Sequence, residues 1–135
     1  MTATRRRGRL TLVAGLVAGL LTLAAAPGAS AATIASGPLA ASAGYLTPSV
    51  SMTVGETVTF MNVDIAAHDV TARKTFRPKR KKGKPRPPAQ PLFKTPLIGF
   101  GQSAEVAGLE RVRAGQSYEF YCSLHSSMTG TLTVN

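Results

Sequence analysis

Alternation with a period of two, in short runs broken by glycine turns, is the feature that most restricts what residues 45–135 can fold into. Ser117 to Cys122 places Tyr118, Phe120 and Cys122 on one side of an extended chain, and Glu119 and Tyr121 on the other. The same period joins Val50, Met52 and Val54, then Val58 and Phe60, then Leu132 and Val134. His68, Val70 and Ala72 share a face in a further run, and Ser103 to Val106 is a short candidate strand. Successive side chains of a strand point to opposite faces, so each run has one face to bury. Gly55-Glu56 and Ala114-Gly115-Gln116 supply turns, and the two runs flanking Gly55 are expected to be neighbouring strands. No helical period of 3.6 is visible in this part of the chain. Short strands with frequent turns predict an all-β, antiparallel β-sandwich.

The N-terminal segment reads differently. Arg5, Arg6, Arg7 and Arg9 precede an apolar run of 17 residues, Leu10 to Ala26, which leads to Pro27-Gly28-Ala29-Ser30-Ala31. A basic start, an apolar middle and small residues before Ala32 are the parts of an export signal, so residues 1–31 are expected to be a signal peptide. The competing expectation is an uncleaved membrane anchor, for which the run is short. Thr4-Arg5-Arg6 matches a twin-arginine export signal weakly, because Gly8 and Arg9 stand where apolar residues belong. Export places the folded part outside the cytoplasm, in an extracellular, periplasmic or cell-envelope setting. Residues 32–44, rich in Ala, Ser and Gly, are expected to be a linker or ragged N-terminus. The remaining chain is long enough for one domain with a core and not for two.

Charge is distributed unevenly. After the signal, 12 basic and 6 acidic residues remain, and ten of the basic ones lie between Arg73 and Lys94. Arg77 to Arg86 reads Arg-Pro-Lys-Arg-Lys-Lys-Gly-Lys-Pro-Arg and holds seven like charges. Mutual repulsion and proline predict an extended, mobile insertion at about residues 73–94. It is either a solvated loop or a contact to an anionic membrane or cell-wall surface. Export argues against nucleic acid as the target.

Cys122 is the only cysteine. In an oxidising compartment cysteines normally pair, so a lone thiol is inert and buried, reactive, paired between chains, or held by metal. His125 and Met128 follow it at spacings of three and three, and Gly130 opens the last strand. The one other histidine, His68, stands where a loop meets a strand. Thiolate, imidazole and thioether are ligands that suit copper in both of its common oxidation states. Two His and one Cys with a weak Met contact are the ligand set of a blue-copper electron-transfer site, whereas zinc favours Cys, His and carboxylate. Each of these residues alone has a plain structural reading: buried filler for Cys122 and Met128, a loop residue for His68.

Tyr118 to Val134, together with Gly55 to Asn62 and His68-Asp69-Val70, resembles the cupredoxins, and among them the plastocyanin and amicyanin branch. The Cys-x2-His-x2-Met loop is similar to that of amicyanin. The resemblance covers roughly residues 45–135. It implies a Greek-key β-sandwich of eight-strand type, one copper ion held by His68, Cys122, His125 and Met128, and a one-electron carrier. It also implies redox partner proteins docking near His125, with Leu124 in the contact surface. Three residues depart from the family pattern. Asp69 stands where Asn often joins the ligand loops, and Leu124 and Ser126 stand where prolines often flank the second histidine. Copper storage, delivery or tolerance is the alternative role, and a metal-free envelope-binding domain using the basic segment is a further one. No nucleophile with a base and no spare histidine supports an enzyme.

Overall fold

The structure is a computed structural model, and it describes residues 31–135. The expected export signal lies, Ala31 apart, outside the described residues. Nine strands form two main sheets and a separate ribbon. β1 (Ala32–Ser36), β3 (Val58–Asn62) and β7 (Ser103–Glu105) make one sheet in the order β1-β3-β7. β2 (Ser49–Met52), β4 (Thr71–Ala72), β8 (Gln116–Tyr121) and β9 (Thr129–Val134) make the other, in the order β2-β9-β8-β4. β5 (Thr75–Phe76) and β6 (Gln90–Pro91) pair only with each other. The β-sandwich class expected from the alternation holds. Within each main sheet one pair, β1–β3 and β2–β9, is parallel, and the remaining pairs are antiparallel.

The inward faces fill the space between the sheets. Ile34, Val58, Phe60, Phe120 and Leu132 are fully buried, each contributing on the order of 1.5–3 kcal/mol through removal of apolar surface from water. Tyr45 stands edge-on to both Phe60 and Phe120, with ring centroids 6.2 and 5.1 Å away. Glu119 faces solvent while Tyr118, Phe120 and Cys122 are buried, so the strand phase read from β8 is the phase it adopts.

Three expectations require correction. Residues 32–44 are not a linker: β1 pairs with β3 along its length, and a short helix α1 (Ala40–Ala43) follows, with Ala40 fully buried. The runs flanking Gly55 are not neighbours, because β2 pairs with β9 and β3 with β1 and β7. The Gly55 turn, at φ 91°, carries the chain from one sheet to the other. The run from His68 to Ala72 pairs as β4 only at its end, and all five of its residues are buried, so its alternation does not separate two faces. The basic segment is an insertion between strands, as expected, and it is tied at its base. β5 and β6 close its base, and the Lys84 amide N–H donates to the Lys81 carbonyl in a turn at its tip.

Among the described residues no helix is long and apolar enough to cross a membrane.

Candidate metal centre

Cys122 follows directly on β8, and its backbone N–H donates to the Met128 carbonyl at 3.0 Å, adding a rung where the β8–β9 ladder ends at Tyr121–Thr129. The spacing of three and three has a structural meaning. His125 N–H donates to the Cys122 carbonyl (3.2 Å), and Met128 N–H donates to the His125 carbonyl (2.9 Å). Two successive turns of this i to i+3 type fold the loop back on itself. They return His125 to the cysteine sulfur and deliver Met128, fully buried, to the same loop closure.

His68 comes from the facing connection. Its backbone exchanges two hydrogen bonds with Ile98, at 3.1 and 2.9 Å. Asn62, fully buried, organises the preceding turn. Its Nδ2 donates to the carbonyls of Ala66 (2.7 Å) and Ile98 (2.9 Å). Its Oδ1 accepts from Ser36 Oγ (2.7 Å) and from the Asp64 amide (2.9 Å). The side-chain amide thereby uses both donor hydrogens and both acceptor positions.

The donor atoms converge. Cys122 Sγ lies 3.7 Å from His68 Nδ1 and 3.7 Å from His125 Nδ1, and all three ligand atoms fall within 4.8 Å of one another. First-row metals take sulfur at about 2.3 Å and imidazole nitrogen at about 2.0–2.1 Å, so donors sharing one ion sit roughly 3.5–3.8 Å apart. The two sulfur–nitrogen separations fit that requirement, and the S, N, N donor chemistry fits copper. His68 and Cys122 are fully buried and His125 is half-buried, so one imidazole edge reaches the surface.

Asp64 and Asp69 support the donors. Asp64 Oδ2 lies 2.9 Å from His68 Nε2 and also accepts the Ala40 amide at 3.1 Å. The hydrogen bond with His68 holds the Asp64 carboxyl below its ordinary pKa, which makes it the anionic acceptor. The imidazole proton therefore belongs on Nε2, leaving Nδ1 as a lone pair directed to the cysteine. Asp69 Oδ1 accepts the Ser123 amide at 2.6 Å and Oδ2 accepts Thr71 Oγ1 at 3.0 Å. The carboxylate thus ties the two ligand loops, the task that Asn often has in the resembled family. Burial pushes the Cys122 thiol above its ordinary pKa, partly offset by the backbone N–H of Asp69.

Asp64 was not singled out by the sequence, and only its position four residues before His68 in a loop hinted at contact. Ser127 Oγ donates to the Ala41 carbonyl at 3.3 Å, so α1 also touches the cysteine loop.

The sequence profile of the copper-binding proteins of the plastocyanin/azurin family matches residues 32–135, and the chain belongs to that family. Its fold is that of the cupredoxins, and its cofactor is copper. Among solved structures it is similar to a purple cupredoxin from Nitrosopumilus maritimus, with 23% identity and a TM-score of 0.55 over 76% of this chain and 98% of that one. It is similar to amicyanin from Paracoccus versutus, with 24% identity and a TM-score of 0.52 over 79% and 83% of the two chains. A point variant of amicyanin in its Cu(I) form shows 25% identity and a TM-score of 0.52 over 78% and 82%. No curated protein sequence matches this chain.

Proposed function

We propose that this protein is an exported one-electron carrier with a single copper held by His68 Nδ1, Cys122 Sγ, His125 Nδ1 and the Met128 sulfur. The observation that carries this reading is the convergence of two imidazole nitrogens on one buried sulfur, each 3.7 Å from it. Copper bound there supplies a Cu(I)/Cu(II) couple.

The protein's own part is to keep the donors still. Asn62 and Ile98 fix the His68 segment, Asp69 joins it to Ser123, and two turns fix the Cys122–Met128 loop. A donor set that does not move between oxidation states needs little reorganisation for each electron. The half-buried His125 imidazole is the exit to the surface. Exposed Leu124 beside it, with Ile65, Leu97 and Phe100 on loops near His68, makes an apolar rim suited to brief docking of a redox protein. The basic and apolar N-terminus supports export to the periplasm or beyond.

Loading with Cu(II) should give one copper per chain and the intense visible absorption of a copper–thiolate bond. Cys122→Ser should abolish that absorption, and Met128→Ala should alter the spectrum and potential while the colour survives. A colourless protein without stoichiometric copper would sink the reading. Fast self-exchange of electrons with slow loss of copper to a chelator is the carrier signature, and the reverse ranking would mean copper delivery.

A further inference from the structure

The copper centre leaves the basic projection unexplained. Arg77 to Arg86 places seven cations on one turn, all but Pro78 exposed, with no acid anywhere between Arg73 and Lys94. Among the described residues the ion pairs join His68 to Asp64, Arg73 to Glu119 and Arg111 to Glu110, so no residue of Arg77–Arg86 takes part in one. Gly83, at φ 75°, and the Arg80 Nε–H donated to the Lys84 carbonyl (2.9 Å) hold this charge in a compact turn.

Its base lies at the pole opposite the copper donors. Along β8 the chain runs from Gln116 to Tyr121 and then Cys122, and β4 runs the other way from the His68 end. After Ala72, opposite Phe120, Arg73 N–H donates to the Glu119 carbonyl, and Lys74 Nζ sits 5.3 Å from the Tyr118 ring centroid. Phe76 then packs under the Arg111 guanidinium, 4.4 Å away, in the connection that leads from β7 to the start of β8. At about 3.3 Å per strand residue, the ribbon base stands roughly 15–20 Å along the sheet from Cys122.

We propose that the Arg77–Arg86 hairpin is an electrostatic foot that docks this protein on an anionic phospholipid bilayer with the copper pole turned away from the membrane. The partner class follows from what the tip lacks. Residues 77–91 contain no aromatic side chain on which nucleic acid bases could stack. They offer no large apolar anchor of the kind that dominates protein–protein binding. What they present is an exposed run of lysines and arginines, which matches a flat, laterally fluid array of anionic head groups. Orientation follows from the rest of the charge. Outside Arg73–Lys94, residues 32–135 carry two arginines against six acids, so a negative surface attracts the hairpin and repels the body. A carrier held this way keeps its His125 edge free for partners. Docking itself does not rest on the copper reading, because the metal-free protein has the same hairpin.

The test is co-sedimentation of the purified protein, with and without copper, on phosphatidylcholine vesicles with and without phosphatidylglycerol. Binding is expected only with the anionic lipid and should weaken as salt rises. Each basic residue near such a surface contributes about fivefold at low salt. Replacing Lys79, Arg80, Lys81 and Lys82 together by Ser should therefore lower binding by roughly a hundredfold or more, with the copper absorption unchanged. Equal binding of this variant, or equal binding to neutral vesicles, overturns the proposal. Tighter binding to soluble inorganic polyphosphate than to vesicles, at equal phosphate concentration, also overturns it and makes a free phosphate polymer the ligand. For orientation, nitroxide-labelled lipid should broaden the NMR amide signals of Gly83 and Lys84 and spare those of Leu124 and Ile65. Broadening at Leu124 means the copper pole faces the bilayer, contrary to the proposal.

Discussion

Asp64 Oδ2 meets His68 Nε2 at 2.9 Å on the far side of the imidazole from Cys122. One carboxylate oxygen thereby sets the tautomer of a candidate ligand histidine and, through the Ala40 amide, anchors α1 to the same point. Outer carboxylates of this kind raise ligand basicity, and losing them typically costs about 10–100-fold in metal affinity. Asp64→Ala should lower copper affinity by about that factor, measured by competition with a chelator. The reduction potential should rise, since removing a buried negative charge disfavours the more positive Cu(II). Asp64→Asn separates geometry from charge. Its amide oxygen can still accept from Nε2–H, so affinity should largely survive while the potential still rises. Equal potentials in all three proteins would remove Asp64 from any role in tuning.

Asp69 is tested through the bond it makes to Ser123. The 2.6 Å contact from the Ser123 amide to Oδ1 is the direct side-chain tie between the two ligand loops. Hydrogen bonds to charged acceptors are worth about 1.5–3 kcal/mol, so Asp69→Ala should destabilise the metal-free protein by an amount in that range and speed exchange of the Ser123 amide. Asp69→Asn keeps an acceptor and should retain most of the stability. A Ser123 amide that exchanges no faster in Asp69→Ala would show that the loops are joined by other means.

The parts of this protein legible in its sequence are those where residue type and position carry the same message. Cys122 is unique, both histidines are scarce, and the phase of Tyr118 and Phe120 already points Cys122 inward, so the three donors that the fold brings together could be named beforehand. Met128 follows by spacing and is buried at the loop closure. β1 was illegible because Ile34, Ala35 and Ser36 are buried in succession between a partner strand and the core, which erases alternation. Gly55 marks a turn truthfully, but a turn residue does not say whether the chain returns to the same sheet. Asp64 sits in a loop, where no helical or strand period relates an acid to a histidine. The basic segment is legible as an insertion from its like charges and prolines, whereas the β5–β6 pairing and the Phe76–Arg111 contact at its base carry no such signal.

Gly130 is required by a close approach. A Cβ there would lie 2.3 Å from Phe120 Cζ, 2.6 Å from Phe120 Cε2 and 2.8 Å from the Pro48 carbonyl oxygen. Phe120 is fully buried against Tyr45, and the Pro48 carbonyl accepts the Thr131 amide at 2.7 Å, so neither neighbour can yield cheaply. Gly130→Ala should cost about 1–3 kcal/mol as an overpacked core site, seen as a lower denaturant midpoint at unchanged slope. Combining it with Phe120→Leu should restore part of the loss, because the two changes meet at one contact. Strictly additive costs would place the strain elsewhere.

Tyr45 predicts an alkaline limit to stability. Its hydroxyl donates to the Asp69 carbonyl, and the residue is only 5% exposed. Burial, reinforced by the negative charges of Cys122 and Asp69, pushes its pKa far above the ordinary value of 10.0. The folded protein therefore keeps the phenolic proton at a pH where the unfolded chain releases it. With the folded pKa raised, the contribution is fully present below the unfolded pKa and is lost as pH rises beyond it. Above about pH 10 the unfolding free energy should fall by about 1.4 kcal/mol per pH unit from this group. Tyr45→Phe lacks the group and should lose that slope. At neutral pH it should cost only about 0.5–1.5 kcal/mol for the missing hydrogen bond. The comparison is made by chemical denaturation in a Cys122→Ser background, which removes the thiol as a second titrating group. Parallel pH profiles with and without the Tyr45→Phe substitution would show that the phenol ionises without opposing the fold.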